Sequence, residues 1–194
     1  MAVLALMEIP EATLDRYDRL NEAMGIGGDG DAPDGLIQHV AGADGDTLVI
    51  CDVWESEDAG RRFSQERLRP ALAAEGIEPT GRPRLLPVHN MLRGSGQNPG
   101  EMLIMEMPDL GVDTYDAMTA QMSAHEGGGS NHGSYSHVAA PDGDGLLVVD
   151  VWGSAQEFAD FSRSQIEEAG AEQDVGPIEP RVVPVHNVIR GAGG

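Results

Sequence analysis

Apolar and polar positions along this chain fall into alternating short runs and helical stripes, and the whole pattern occurs twice. Residues 2–9 (AVLALMEI) form an apolar run too short for a helix and ended by Pro10, which predicts a strand. Leu14, Tyr17, Leu20 and Met24 then recur every three or four residues, the spacing that stacks side chains on one helical face. The glycine-rich GIGGDGDAPDG breaks that helix. Residues 36–41 and 47–54 predict two strands joined across GADGD, a turn-forming sequence. Ser56 is placed to cap a second helix that buries Phe63 and Leu68, and RLLPVHNMLR predicts a closing strand.

The second half repeats this order. Pro10 recurs as Pro108, Tyr17 as Tyr115, His39 as His137, Asp52 as Asp150, Trp54 as Trp152 and Phe63 as Phe161, all at an offset of 98 residues. The offset then shortens by one, so that His89-Asn90 becomes His186-Asn187 and Arg93-Gly94 becomes Arg190-Gly191. The strings CDVWES and VDVWGS, PVHNMLRG and PVHNVIRG mark a duplication. In the second copy Ser154 and Glu157 have the spacing of a capping box. SGQNPG has linker composition, which gives a first repeat over 1–94, a linker over 95–100 and a second repeat over 101–194.

Each copy reads β-α-β-β-α-β, the order of a ferredoxin-like α+β unit with four antiparallel strands and both helices on one face. Strand three is apolar on both faces, with Leu48, Ile50 and Trp54 on one and Val49, Cys51 and Val53 on the other. A sheet of that kind wants a second sheet opposite it. The expectation is therefore two ferredoxin-like repeats with antiparallel sheets packed face to face, as a pseudo-dimeric α+β barrel.

Charge narrows the function. The formal net charge is -21, and all 12 basic residues are arginine. Such a surface repels phosphate backbones and anionic lipid, which argues against nucleic acid and membrane as partners. The N-terminus has no basic segment before its apolar run, and no stretch is long enough to span a bilayer, so the chain reads as a cytoplasmic protein. A single cysteine, Cys51, leaves no intramolecular disulfide.

At DVWES, the later Phe63 and the closing PVHN strand, the chain resembles the dimeric α+β barrel superfamily, and most closely its small antibiotic-biosynthesis-monooxygenase-like proteins. The resemblance covers nearly the whole chain, once per repeat. It implies that a tandem chain carries its own dimer, with pairing of whole chains into a further homodimer left open. It also implies oxygenation of phenols without a cofactor, haem degradation, small-molecule isomerisation or decarboxylation, or no reaction at all. Cofactor-free oxygenases of this superfamily surround an activated phenolate with Trp, Asn, Tyr or Arg. Trp54 and Trp152, Asn90 and Asn187, and Tyr17 and Tyr115 match in residue type.

The residues themselves offer three constellations. His89-Asn90 and His186-Asn187 lie on the closing strands. Neighbours on a regular strand face opposite ways, so only one of each pair is expected to enter a given cavity. The His serves there as base or orienting group, or as a structural hydrogen-bond partner of Asp52 or Asp150. His39 and His137 lie on strand two beside Asp52 and Asp150 on strand three, which suggests a base held by an orienting carboxylate. Trp54 and Trp152 follow those aspartates, and Tyr17, Tyr115 and Tyr135 stand out as candidate walls of a substrate site. The third constellation runs from His125 to His137 (HEGGGSNHGSYSH). Its His and Glu are metal-ligand types, but their spacing matches no standard metal signature, and a pocket lid is the preferred reading. No cofactor or metal is assigned. The leading reading is a small-molecule enzyme of the cofactor-independent monooxygenase type, against a non-catalytic ligand-binding or scaffold barrel or a haem-binding protein.

Overall fold

The computed structural model describes residues 1–77, 81–125 and 133–191. The chain is α+β and divides into two compact units that do not coincide with the two repeats. One comprises Met1–Pro87 with Pro184–Gly194, and the other Val88–Val183. Each unit thus ends on a strand segment encoded by the other repeat.

In the first unit the order is β1 (Val3–Pro10), α1 (Leu14–Ala23), β2 (Leu36–Asp44), β3 (Thr47–Trp54), α2 (Glu57–Phe63), α3 (Arg69–Ala74) and β4 (Arg84–Pro87). The strands lie in the order β4-β1-β3-β2, all antiparallel, the ferredoxin-like arrangement predicted from the sequence. The β2–β3 turn closes at Asp44↔Thr47 around Gly45, whose φ of 58° suits a tight hairpin. Ser56 caps α2 as expected, accepting from the Ala59 amide at 3.2 Å. The second helix is not one regular α-helix: a single wide turn over Ser64–Leu68, in which the Arg69 amide reaches back to the Ser64 carbonyl, separates α2 from α3.

The second unit repeats this plan with β6 (Glu101–Met107), α4 (Val112–His125), β7 (Ser136–Asp142), β8 (Gly145–Trp152), α5 (Ala155–Phe161) and α6 (Glu167–Glu172). The same wide turn recurs over Ser162–Ile166. Gly143 (φ 63°) makes the hairpin turn, and Ser154 accepts from the Glu157 amide at 3.2 Å. All eight residues of β8 are buried, whereas β3, the strand read as apolar on both faces, leaves Thr47, Ile50 and Asp52 partly exposed.

The closing strands differ from expectation. RLLPVHNMLR is two strands, β4 on β1 and β5 (Asn90–Arg93) on β7, each in a different unit. RVVPVHNVIR stays one strand, β9 (Arg181–Arg190), whose residues 185–190 pair with β2. Gly191 and Gly94 follow these strands where a side chain would overlap the carbonyl oxygens of Leu36 and Ser134. That close approach accounts for the Arg-Gly ending of both copies.

Candidate functional site

Burial of the first helix of each unit carries a tyrosine hydroxyl into the sheet. In the first unit Tyr17 on α1 is 4% exposed, and its hydroxyl lies 2.6 Å from Nε2 of His39 on β2. Nδ1 of His39 lies 2.6 Å from Oδ1 of Asp52 on β3, in cross-strand register with it. A carboxylate only accepts, so Nδ1 carries the imidazole proton and Nε2 is left to accept from the phenol. Asn187 on β9 closes the chain by donating from Nδ2 to the Tyr17 oxygen at 2.9 Å. The bonds therefore run in one direction: amide to phenol, phenol to imidazole, imidazole to carboxylate.

The second unit holds the same relay. Asn90 Nδ2 donates to the Tyr115 hydroxyl at 2.8 Å, that hydroxyl lies 2.7 Å from His137 Nε2, and His137 Nδ1 lies 2.6 Å from Asp150 Oδ1. In each unit the tyrosine and histidine rings are parallel within 5°, with centroids 5.8 and 6.0 Å apart. That separation is too wide for face-to-face contact and reflects the in-plane hydrogen bond. Burial pushes the Tyr17 hydroxyl up to about 12, against the downward pull of the Asn187 and Asn21 hydrogen bonds. Burial also raises Tyr115, opposed by bonds from Asn90 and Thr119.

The structure brings both members of each His-Asn pair to one tyrosine, contrary to the expectation from strand alternation. His186 packs edge-on to Tyr17 at 5.8 Å while its neighbour Asn187 bonds the Tyr17 hydroxyl, and both line one groove. The reason is a break in register: Ala41 pairs with Asn187 and Gly42 with Val185, so His186 is the extra residue of a β-bulge. His89 likewise sits edge-on to Tyr115, just before β5 begins. Neither histidine bonds Asp52 or Asp150, as one structural reading supposed. His186 Nε2 lies 2.7 Å from Asp18 and His89 Nε2 2.7 Å from Asp116. Sequence reasoning missed those two aspartates. Their signal was the Tyr-Asp dipeptide kept in both repeats.

Trp54 and Trp152 belong to the cores. Trp54 packs on Phe63 at 5.2 Å, and Trp152 packs on Phe158 and Phe161 while its indole N–H reaches Asp150 Oδ2 at 3.4 Å. Tyr135 lies ahead of β7, half-buried, with its backbone amide on the Val151 carbonyl. Of the His125–His137 stretch, residues 126–132 lie outside the described residues. Among the described residues no group of three or more His, Cys, Asp or Glu is placed to hold a metal.

Apolar side chains pack against both tyrosines, Ala41, Leu48, Ile9 and Ile50 against Tyr17 and Met105, Met118 and Val148 against Tyr115. In the second unit Tyr115, His137 and Asp150 line a cavity of about 80 Å³ whose other walls are mostly apolar, Met105, Met118, Met122, Leu110, Phe161 and Ile178 among them, with Thr119 and Ser123 as further polar members. In the first unit an open groove of about 640 Å³ runs past Asp18, Asn21, Glu22, His186 and Asn187.

The ferredoxin-like fold of this chain is shared by solved structures of low sequence identity. A candidate monooxygenase from Lactobacillus acidophilus NCFM superposes with a TM-score of 0.68 at 12% identity, covering 97% of this chain and 96% of that one. A candidate monooxygenase from Fusobacterium nucleatum subsp. nucleatum ATCC 25586 also gives 0.68, at 9% identity over 97% and 94%. A monooxygenase-like protein from Listeria innocua gives 0.55 at 13% identity over 96% and 95%. No family model and no curated protein matches the chain by sequence. No helix among the described residues is long and apolar enough to cross a membrane.

Proposed function

We propose that the chain is a small-molecule oxygenase that works without a metal or organic cofactor, with its reactive centre in the second unit. The observation that carries this reading is the Tyr115–His137–Asp150 relay opening on an apolar cavity. Tyr115 oxygen takes a proton from an acidic C–H of the ligand while its own proton passes to His137 Nε2. Asp150 neutralises the imidazolium, and Asn90 holds the phenol in line. The ligand carbanion forms a C–O bond with dioxygen, giving a peroxide anion that recovers the proton through Tyr115. Loss of water, which takes the carbon's second hydrogen, leaves a carbonyl. One oxygen atom ends in product and the other in water.

The cavity bounds the ligand. At about 80 Å³ it is smaller than the roughly 150 Å³ apolar cavity that accommodates benzene. A flat ring enters only as the flexible methionines yield, so the cavity encloses the reacting edge of a ligand and not a polycyclic whole.

Oxygen uptake by the purified chain, measured over small 1,3-dicarbonyl and hydroxyaromatic compounds, tests the proposal. Tyr115→Phe should cut uptake by about 10²-fold or more, the usual contribution of a positioned acid–base group. Undiminished uptake in that variant overturns the assignment. Ligand binding with no uptake in the parent chain makes the protein a carrier instead.

A further inference from the structure

The cavity of the second unit is long for its volume. Tyr115 and Ser123, both in its wall, stand eight positions apart on α4, about 12 Å along the helix axis. A space of about 80 Å³ drawn out over that distance is a narrow slot and not a rounded chamber. It is also graded in exposure. Tyr115, Met118 and Met105 are 7%, 4% and 3% exposed, whereas Met122 and Ser123 are half-buried. The slot therefore has a dry end at the relay and an outer end at Ser123. We propose that its ligand is an open-chain 1,3-dicarbonyl compound, bound with the dicarbonyl head at Tyr115 and an unbranched alkyl tail along α4 toward Ser123. The head group rests on the oxygenase reading above, and the tail rests on the shape of the slot alone.

A difference between the copies builds this slot. α1 and α4 begin at matching positions, Leu14 and Val112, but α1 has 10 residues and α4 has 14. In the first copy Gly25 takes the left-handed conformation (φ 67°) that ends a helix, and the Arg67 guanidinium donates to the Met24 carbonyl. In the second copy Ser123 and Gln165 stand in the places of Gly25 and Arg67, and the helix runs one turn further. The added length keeps Met122 and Ser123 helical, and with them the outer wall. Another wall holds Phe161 and Ile166, one just before the wide turn Ser162–Ile166 and one at its end. Residues five apart on a regular α-helix lie about 140° apart around the axis. The wider turn brings these two onto one face, the face that lines the slot.

The lining chemistry favours a chain over a ring. Thr119 sits with the Tyr115 hydroxyl at the relay, and Ser123 marks the outer end. The stretch between them is walled by Met118 and Met122, whose flexible, unbranched side chains pack along a ligand of the same shape. A benzene ring needs about 150 Å³ of apolar space in one place, which a slot of this section does not offer.

Calorimetric titration of the full chain under nitrogen, where no oxygen is present to consume the ligand, tests the proposal. The probes are straight-chain 1,3-diketones that lengthen by one methylene at a time, and a phenyl diketone with as many carbons as the longest of them. Each added methylene should tighten binding about fourfold, the value of one buried methylene, until the tail passes Ser123 and the gain levels off. Ser123→Phe should bring that levelling to a shorter tail. The length series is read on the parent chain, so a variant that fails to fold does not blunt it. Affinity indifferent to tail length, tighter binding of the phenyl compound than of its straight-chain counterpart, or no binding of any diketone overturns the proposal. Length-dependent binding with no oxygen uptake in air sinks the oxygenase and leaves this assignment standing, and uptake without length dependence does the reverse.

Discussion

Asn90 donates a 2.8 Å hydrogen bond to the hydroxyl of Tyr115, although the two residues belong to different repeats. Asn187 repeats the contact on Tyr17 at 2.9 Å. Each relay therefore depends on a strand segment from the other half of the duplication, and each bond both holds a unit together and fixes the direction of its phenol.

Asn90→Ala removes the donor and leaves a buried phenol oxygen short of one partner, at a cost of about 1–2 kcal/mol. Asn187→Ala should cost a similar amount in the first unit. Thermal unfolding should show each single loss, and the double variant should lose about their sum because the two bonds lie in separate units. A loss confined to one unit would mean that the two bonds are not equivalent.

Much of this was legible in the sequence. The short apolar runs, the helical stripe of Leu14, Tyr17 and Leu20 and the Gly-Asp turns specify the ferredoxin-like order, because each is a local signal. The His39–Asp52 and His137–Asp150 contacts follow from neighbouring strands of one hairpin. What escaped depended on long-range events. The exchange of closing strands leaves no mark in a repeat pattern, and the bulge at His186 arises from pairing with β2, far away in sequence. Asp18 and Asp116 were overlooked because a charged residue on a helix reads as solvated surface until its partner strand is known.

The raised phenol of Tyr17 makes a pH prediction with a definite sign. Its folded value of about 12 lies above the ordinary 10.0, so between these values the unfolded chain releases the proton and the folded chain keeps it. Stability from this group is complete below pH 10 and is lost as pH rises toward 12, by about 2–3 kcal/mol at most. Urea unfolding at a series of alkaline pH values should show that decline, and Tyr17→Phe should flatten part of it. An equally steep decline in Tyr17→Phe would place the titration elsewhere.

Asp150 is 5% exposed and accepts from both His137 and Trp152. Asp150→Asn keeps the shape but removes the charge, and its amide must turn a donor toward one of two groups that are themselves donors. The loss should be about 1.5–3 kcal/mol, the range for a hydrogen bond to a charged group. Urea unfolding measures it. Because the carboxylate no longer holds Nδ1–H, the His137 tautomer should also shift, visible in the nitrogen chemical shifts of the ring. An unchanged tautomer would show that Asp150 does not orient the imidazole.

Met118 is 4% exposed and forms part of the cavity wall beside Tyr115. Met118→Ala should cost about 2–5 kcal/mol, the range for large-to-small changes in a core, and should enlarge the space in front of the relay. A larger flat apolar ligand should then bind more tightly to the variant than to the parent, read by its effect on the melting temperature. Lost stability without any gain in binding would mean that the core collapses into the vacated space.

Gly191 sits where β9 leaves the sheet, against the Leu36 carbonyl, with its own amide donating to Ile37 at 3.0 Å. Gly94 occupies the matching place against Ser134. The contact is with backbone in both cases, so an added methyl cannot be accommodated by a side chain swinging away. Gly191→Ala must push the end of β9 off β2, and with it the strand that presents His186 and Asn187 to Tyr17. The expected loss is about 1–3 kcal/mol, the usual cost of overpacking. Hydrogen exchange should localise it, with faster exchange at the amides of residues 185–190 and their β2 partners while β6 to β8 keep their protection. Uniform loss across both units would instead mean that the two fold as one cooperative body.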